Sequence, residues 1–272
     1  MDAKTKVMTI TPQIAREWLK ENDINRNVNK NRVIMYSEDM KSGNWALNGE
    51  SIKFNRTGKL IDGQHRLMAI IRSGVPIATY VIFDIPNDIS IMDRGKNRST
   101  TDSLIISGLN KKLANSHAVS IAKLHFSIKY NKTTVSDFQI RNFITKHSEC
   151  IEKVLSLCAS SGGRKTVTIN IRNATFMLAM LYGLEAGVNY EIVTKFVEIV
   201  KNGFYKNDED SAAIVCRNDM LSKAIITSGH TCEKKQGVYK IEKALNDFAN
   251  SIPRKKSYNS WKEPIYSEMM ED

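Results

Sequence analysis

The stretch Gly58–Pro76, GKLIDGQHRLMAIIRSGVP, governs how the rest of this chain is read. Leu60 and Ile61 are a short apolar run, Gly63 interrupts it, and Leu67, Ile70 and Ile71 then recur at helical spacing until Gly74 stops them. A glycine between an apolar strand and a helix marks a place where the backbone turns sharply or approaches a ligand closely. The helix beginning near Gln64 presents free backbone N–H groups and the positive end of its dipole, which suits a phosphate. Arg66 and His65 fall in its first turn, where a guanidinium adds charge-assisted hydrogen bonds and an imidazole donates another. Gly63, Gln64, His65 and Arg66 are therefore a candidate anion cradle, and Asp62 is a candidate carboxylate at its mouth. On chemistry alone a plainer reading stands level with it. In that reading Asp62 and Gly63 make a plain turn, Arg66 pairs with a surface carboxylate and His65 is a satisfied near-surface ring, while the plain alternative to a catalytic Asp62 is that it caps the helix.

Working outward, Met1 to Met8 is polar and is expected to lead directly into a helix that Thr11 caps, with Pro12 in its first position. Ile14, Trp18 and Leu19 give that helix one apolar face. Asn25 to Lys30 reads as a loop, and Val33, Tyr36 and Met40 predict a second helix ending at Gly43. Ser51 to Phe54 alternates, and with the turn Asn55–Gly58 it predicts a hairpin into Lys59–Ile61. Thr79 to Ile85, between Pro76 and Pro86, is a β-branched and aromatic run read as a strand. Beyond Asp102 the pattern is helical, with helices predicted near residues 110–130, 135–158, 172–186, 190–202, 210–226 and 239–250, and a connector at Ser160–Gly163. Ser161–Thr166 has some flavour of a phosphate loop but lacks its spacing, and is read as part of that connector. Met177, Met180, Leu181 and Leu184 form a stripe expected to be core.

The order of strand, glycine turn, basic helix start, Gly-x-Pro loop and next strand at Val81 resembles the N-terminal domain of ParB partition proteins and the sulfiredoxin fold. Upstream, Asn25 and Arg26 with the helix containing Tyr36, Met40 and Gly43 are similar to the arginine-containing box before this core. Downstream, Asp93, Arg94, Gly95 and Arg98, with Asp102, occupy the place of the third nucleotide-contacting box. The resemblance spans about residues 9–105. It implies a small ParB/sulfiredoxin-like mixed sheet with helices over residues 1–105; with the helical periodicity beyond it, the expected fold class is α+β, the second part being a mostly α-helical domain over 106–272 and a candidate for binding nucleic acid or a partner. It also implies a bound nucleoside triphosphate, CTP as in ParB or ATP as in sulfiredoxin and related free-serine kinases. Arg26, Arg94 and Arg98 would join the cradle residues. Asp62 and Asp93 are the candidate catalytic carboxylates, and Asp62 is also the candidate contact for Mg²⁺. Sulfiredoxin has a cysteine where this chain has Gln64, so its sulfur chemistry is not implied. The family's second basic residue of the turn is His65 here. The best helix-turn-helix candidate, Val135 to Cys158, would put Glu149, Glu152, Leu155 and Leu157 on its second helix, too acidic and apolar to read a major groove.

The functional expectation is a nucleotide-binding ParB-like protein acting on or near DNA. Two alternatives stay open: a phosphotransferase or phosphohydrolase, kinase-like or nuclease-like, and a catalytically inactive regulatory protein of a phage or mobile element. Composition is compatible with all three. The chain has 272 residues, 42% of them apolar, which is ordinary for a folded protein. The formal charge of +11 favours an anionic partner. It is spread out, with 16 Lys and Arg against 12 Asp and Glu in residues 1–108 and 24 against 17 in residues 109–272. Arg254, Lys255 and Lys256 form the one tight run and are the candidate nucleic-acid contacts. Cys150, Cys158, Cys216 and Cys232 are too widely spaced for a zinc site and read as reduced thiols, so no protein-held metal is expected. No apolar run reaches membrane-spanning length and no secretory leader is visible, so a cytoplasmic protein without a membrane partner is expected. A homodimer is the candidate assembly.

Overall fold

The hairpin expected around Gly58 forms as β2 (Ser51–Asn55) and β3 (Leu60–Asp62), antiparallel, with Lys53 opposite Asp62. This computed structural model describes residues 3–22, 28–86, 99–159 and 169–270. Around the hairpin lie β1 (Lys4–Ile10), α1 (Pro12–Leu19), α2 (Lys30–Lys41), α3 (Gln64–Ser73) and β4 (Ile77–Ile85). The sheet is four-stranded and mixed, in the order β1-β4-β2-β3. β4 runs antiparallel to β1, with Ile10 opposite Ile77, and parallel to β2, with Ile52 opposite Val81.

β1 corrects the expectation of a polar lead-in to a helix. Only its end reaches the core, while Lys4, Lys6 and Val7 are exposed. An edge strand carrying lysines resists pairing with other chains, and it leaves almost no apolar alternation in the sequence. Thr11 and Pro12 start α1 as expected, the Thr11 hydroxyl accepting from the Ile14 N–H. The helices bury Ile10, Met40, Leu67 and Ile70 with Ile52, Phe54, Leu60, Ile77 and Val81 of the sheet. Trp18 packs edge-on against Phe54, whose ring is stacked on Phe83 at 5.5 Å. α3 packs against both α1 and α2, so its N-terminus is fixed by two neighbours.

The chain divides into two compact units, Met1–Asn97 with Thr134–Phe138 and Arg98–Thr133 with Gln139–Asp272. Among the described residues the second unit is helical: α4 (Thr100–Ile106), α5 (Ser116–Tyr130), α6 (Asp137–Lys146, from Gln139 onward), α7 (Ser148–Ala159), α8 (Ala174–Glu185), α9 (Tyr190–Asn202), α10 (Ser211–Leu221) and α11 (Thr231–Ala249). The fold is thus α+β, a small mixed sheet with helices followed by a helical region. α8 is buried on all sides from Thr175 to Leu184 and packs against α5, α7, α9 and α11. A helix apolar all round belongs at the centre, and the methionine stripe is core as expected. Gly183 allows α11 to close on it, since a Cβ there would lie 2.5 Å from Leu245 Cδ2.

Three helical expectations change. The segment 135–158 is two helices, broken at His147, whose ring is buried against Glu185 of α8. α11 begins at Thr231 rather than near residue 239, because Glu233 caps the His230 backbone N–H and the polar first turns carry no apolar stripe. α4 was not expected; Ser99 and Asp102 form a capping box that starts it. The tail after α11 is held by carboxylates. Glu242 accepts from the Ile265 and Tyr266 N–H groups, and Asp219 from that of Tyr258.

Candidate functional site

Gly63 is the N-cap of α3 and lies at φ +109°, a backbone conformation that L side chains rarely adopt. A Cβ there would come within 3.0–3.2 Å of Ile52 on β2. The glycine is therefore required first by how the turn packs on the sheet. No side chain caps α3, so Asp62 does not have the capping role. The first-turn N–H groups of α3 carry no side-chain acceptor from the cap.

In front of this turn is a small cavity of about 50 Å³, lined by Asp62, Gly63, His65 and Arg66 and by Arg32 and Tyr36 of α2. A single water needs roughly 10–15 Å³ measured the same way, so the space admits a group of phosphate size. The two helix starts meet here. The backbone N–H of Asn29, which is the N-cap of α2, donates to His65 Nε2 at 2.9 Å. That bond places the proton of a neutral His65 ring on Nδ1 and gives His65 a structural role beside the expected one as a donor: its Nε2 is an acceptor tying α3 to α2. Gln64 is also structural, its Oε1 accepting from Asn22 Nδ2 at 3.2 Å. Asn22 ends the segment after α1, so α1, α2 and α3 are all fastened at this turn.

Arg66 is more deeply placed than a first-turn arginine facing solvent, with 11% of its side chain exposed. Nη1 donates to Glu50 Oε2 at 2.9 Å, Nη2 donates to the Ser51 carbonyl, and Nη2 lies 3.5 Å from Asp62 Oδ2. Its Nε is buried and has no partner among the described residues. Asp62 is paired on its other side with Lys53 Nζ, 3.2 Å away. A carboxylate already between two cations suits the rim of an anion site better than a protein-held Mg²⁺. Among the described residues there is no group of three metal-ligating side chains.

Arg32 is the residue the sequence reading missed. It lies in the first turn of α2, lines the cavity, and its side chain makes no ion pair or hydrogen bond among the described residues. Arg66 is largely neutralised by Glu50 and Asp62, so Arg32 supplies the uncompensated charge. Asn29 as N-cap could have placed Arg32 at a helix start, but no pattern in the sequence links that start to Gly63.

Of the other expected site residues, Arg26, Asp93, Arg94 and Arg98 lie outside the described residues, as does the connector 160–166. Asp102 serves locally, its Oδ2 accepting from the Ser99 N–H and hydroxyl. Arg254 holds its own loop: Nε donates to the Lys256 carbonyl at 2.9 Å and the guanidinium lies over the Tyr258 ring. Lys255 and Lys256 are exposed. All four cysteines are free thiols, and burial pushes that of Cys158 up to about 12. No helix among the described residues is long and apolar enough to cross a membrane. No family model, no curated protein and no solved structure matches this chain.

Proposed function

We propose that the cavity between the N-termini of α2 and α3 is a nucleotide-phosphate site, and that the protein is a nucleotide-binding, ParB-like protein acting on or near DNA. One observation carries the reading. The phosphate-sized cavity is lined by the start of α3 at Gly63, by Arg66 and by Arg32 in the first turn of α2, whose guanidinium is unpaired among the described residues. All of these stabilise an anion, and the helix ends do so without moving. The net charge of +11 supports an anionic partner. A triphosphate, CTP or ATP, is the proposed ligand; any Mg²⁺ would arrive with the phosphates rather than be held by a protein cage. The enzymatic alternative gains nothing specific, because Asp62 is engaged by Lys53 and Arg66.

Arg32→Ala is the cleanest test, since Arg32 anchors nothing else. A charge-assisted contact of roughly 1.5–3 kcal/mol is expected to be lost, weakening triphosphate binding by about tenfold or more with no change in melting temperature of the free protein. A thermal-shift screen with CTP and ATP, with and without Mg²⁺, followed by calorimetry, measures both quantities. Equal affinity in the folded Arg32→Ala variant would remove the site from this cavity.

A further inference from the structure

Tyr36 and Arg66 line a second cavity besides the one at the Gly63 turn, so the two spaces lie against the same pair of side chains. The second has a volume of about 270 Å³, and all of its lining belongs to the first unit, Ser136, Asp137 and Phe138 included. At about 50 Å³ the first admits a phosphate and little more. Together they reach the lower end of the roughly 300–1,000 Å³ typical of small-molecule sites. A ligand that leaves a phosphate at the Gly63 turn therefore has space for the rest of itself in the larger cavity.

The larger cavity differs in chemical kind from the smaller. Part of its wall is aromatic: Tyr36 and Trp45 stand edge to face with centroids 5.1 Å apart, and Phe138, which also lines it, is 38% exposed. Rings left partly in water are stabilised when a flat apolar surface covers them. The charged groups are mostly acceptors, since Asp39, Glu50 and Asp137 line the cavity against Arg66 as its one cation. Three carboxylates repel a further phosphate, so the uncharged part of a ligand enters here. Two of them are engaged already, Glu50 by Arg66 Nη1 at 2.9 Å and Asp39 by a partner of its own. The Asp137 carboxylate, in the first turn of α6, makes no hydrogen bond or ion pair among the described residues, and neither do the Tyr36 hydroxyl and the Trp45 indole N–H. An ionised carboxylate only accepts, so its partner must bring an N–H or O–H.

We propose that this cavity holds the base and sugar of a nucleotide, the base against Tyr36, Trp45 and Phe138 and its exocyclic amino group donating to Asp137. The proposal rests on the phosphate site at the Gly63 turn and adds a selection which that site lacks. Cytosine and adenine each carry an exocyclic amino donor, whereas uracil presents a carbonyl oxygen where cytosine has its amine. With uracil one acceptor would face another across Asp137, so amino-bearing bases are taken over uracil.

Calorimetry on the full chain with CTP, ATP, UTP and inorganic tripolyphosphate tests this, the last having phosphates and no base. CTP and ATP are expected to bind about tenfold or more tighter than UTP, as for one charge-assisted hydrogen bond. Asp137→Asn, whose amide can turn a donor toward uracil, should bring CTP and UTP to within about twofold of each other. Phe138→Ala should weaken the nucleotides and leave tripolyphosphate unchanged, with circular dichroism confirming that each variant folds. Arg32→Ala should weaken all four ligands and keep the ratio of CTP to UTP. If CTP and UTP bind alike, if the preference survives Asp137→Asn, or if Phe138→Ala leaves CTP binding unchanged, the base cavity is overturned while the phosphate site stands. If none of the four binds, the phosphate site falls and the base cavity with it.

Discussion

Gly63 and Arg66 sit three residues apart and their replacement should fail for different reasons. Gly63→Ala forces a Cβ toward the Ile52 backbone at a φ of +109°, so it should destabilise the fold by about 1–3 kcal/mol, seen as a lower urea midpoint at unchanged slope. Arg66→Ala leaves the buried Ser51 carbonyl without its guanidinium partner and is expected to cost a further roughly 1–3 kcal/mol, besides weakening any bound phosphate. Arg66 is thus as much a clasp between α3 and β2 as a ligand contact. Wild-type stability in Arg66→Ala would show that the Ser51 contact contributes nothing. His65 and Gln64 likewise spend their polar atoms on neighbouring segments. From sequence these residues look like a ligand motif; in the structure the same residues also hold the turn together, because three helices are fastened where the strand ends.

Among the elements, the break between α6 and α7 has a measurable consequence. His147 sits at the break, buried beside Glu185, which also hydrogen-bonds the Cys150 thiol, and it feels the charges of Lys146 and Lys129. Its pKa in the folded state is lowered, chiefly by desolvation, from the ordinary 6.5. The unfolded chain therefore binds more protons in the window below that value, and stability contributed by the neutral ring is present above it and lost as pH falls. Urea unfolding between about pH 8 and about pH 5 should show stability dropping, with a slope of at most about 1.4 kcal/mol per pH unit for one proton. His147→Gln should flatten that slope, and an unchanged slope would assign it to other groups. The same helices show why element boundaries were partly illegible. α6 and α7 share one apolar rhythm, so periodicity joins them, and only the pull of Glu185 from a helix nearly forty residues away marks where they part. β1 was illegible for the opposite reason, since an exposed edge strand has no rhythm to read.

For the molecule as a whole, the positive charge of +11 predicts nucleic-acid binding that weakens with salt. Log affinity for duplex DNA should fall linearly with log salt, by about 0.9 for each phosphate contacted. Lys255→Ala with Lys256→Ala should make that slope shallower by up to about 1.8 if both lysines touch phosphate. Arg254 is the wrong residue to change, because it braces its loop against Tyr258. No dependence on salt, measured by anisotropy with a labelled duplex, would remove DNA from the proposal. The sequence by itself determined the class of fold, the strand-glycine-helix turn at Gly63 and the central apolar helix, because these follow from local periodicity and from backbone conformations that only certain residues adopt. Which charges are left unpaired was decided by tertiary structure alone. Arg32, thirty-four residues before Arg66, reaches the same cavity only because α2 packs on α3, and His147 Nε2 is orphaned only because Glu185 takes the other side of its ring. Electrostatic character is a property of neighbours in space, and packing between distant segments is what supplies them.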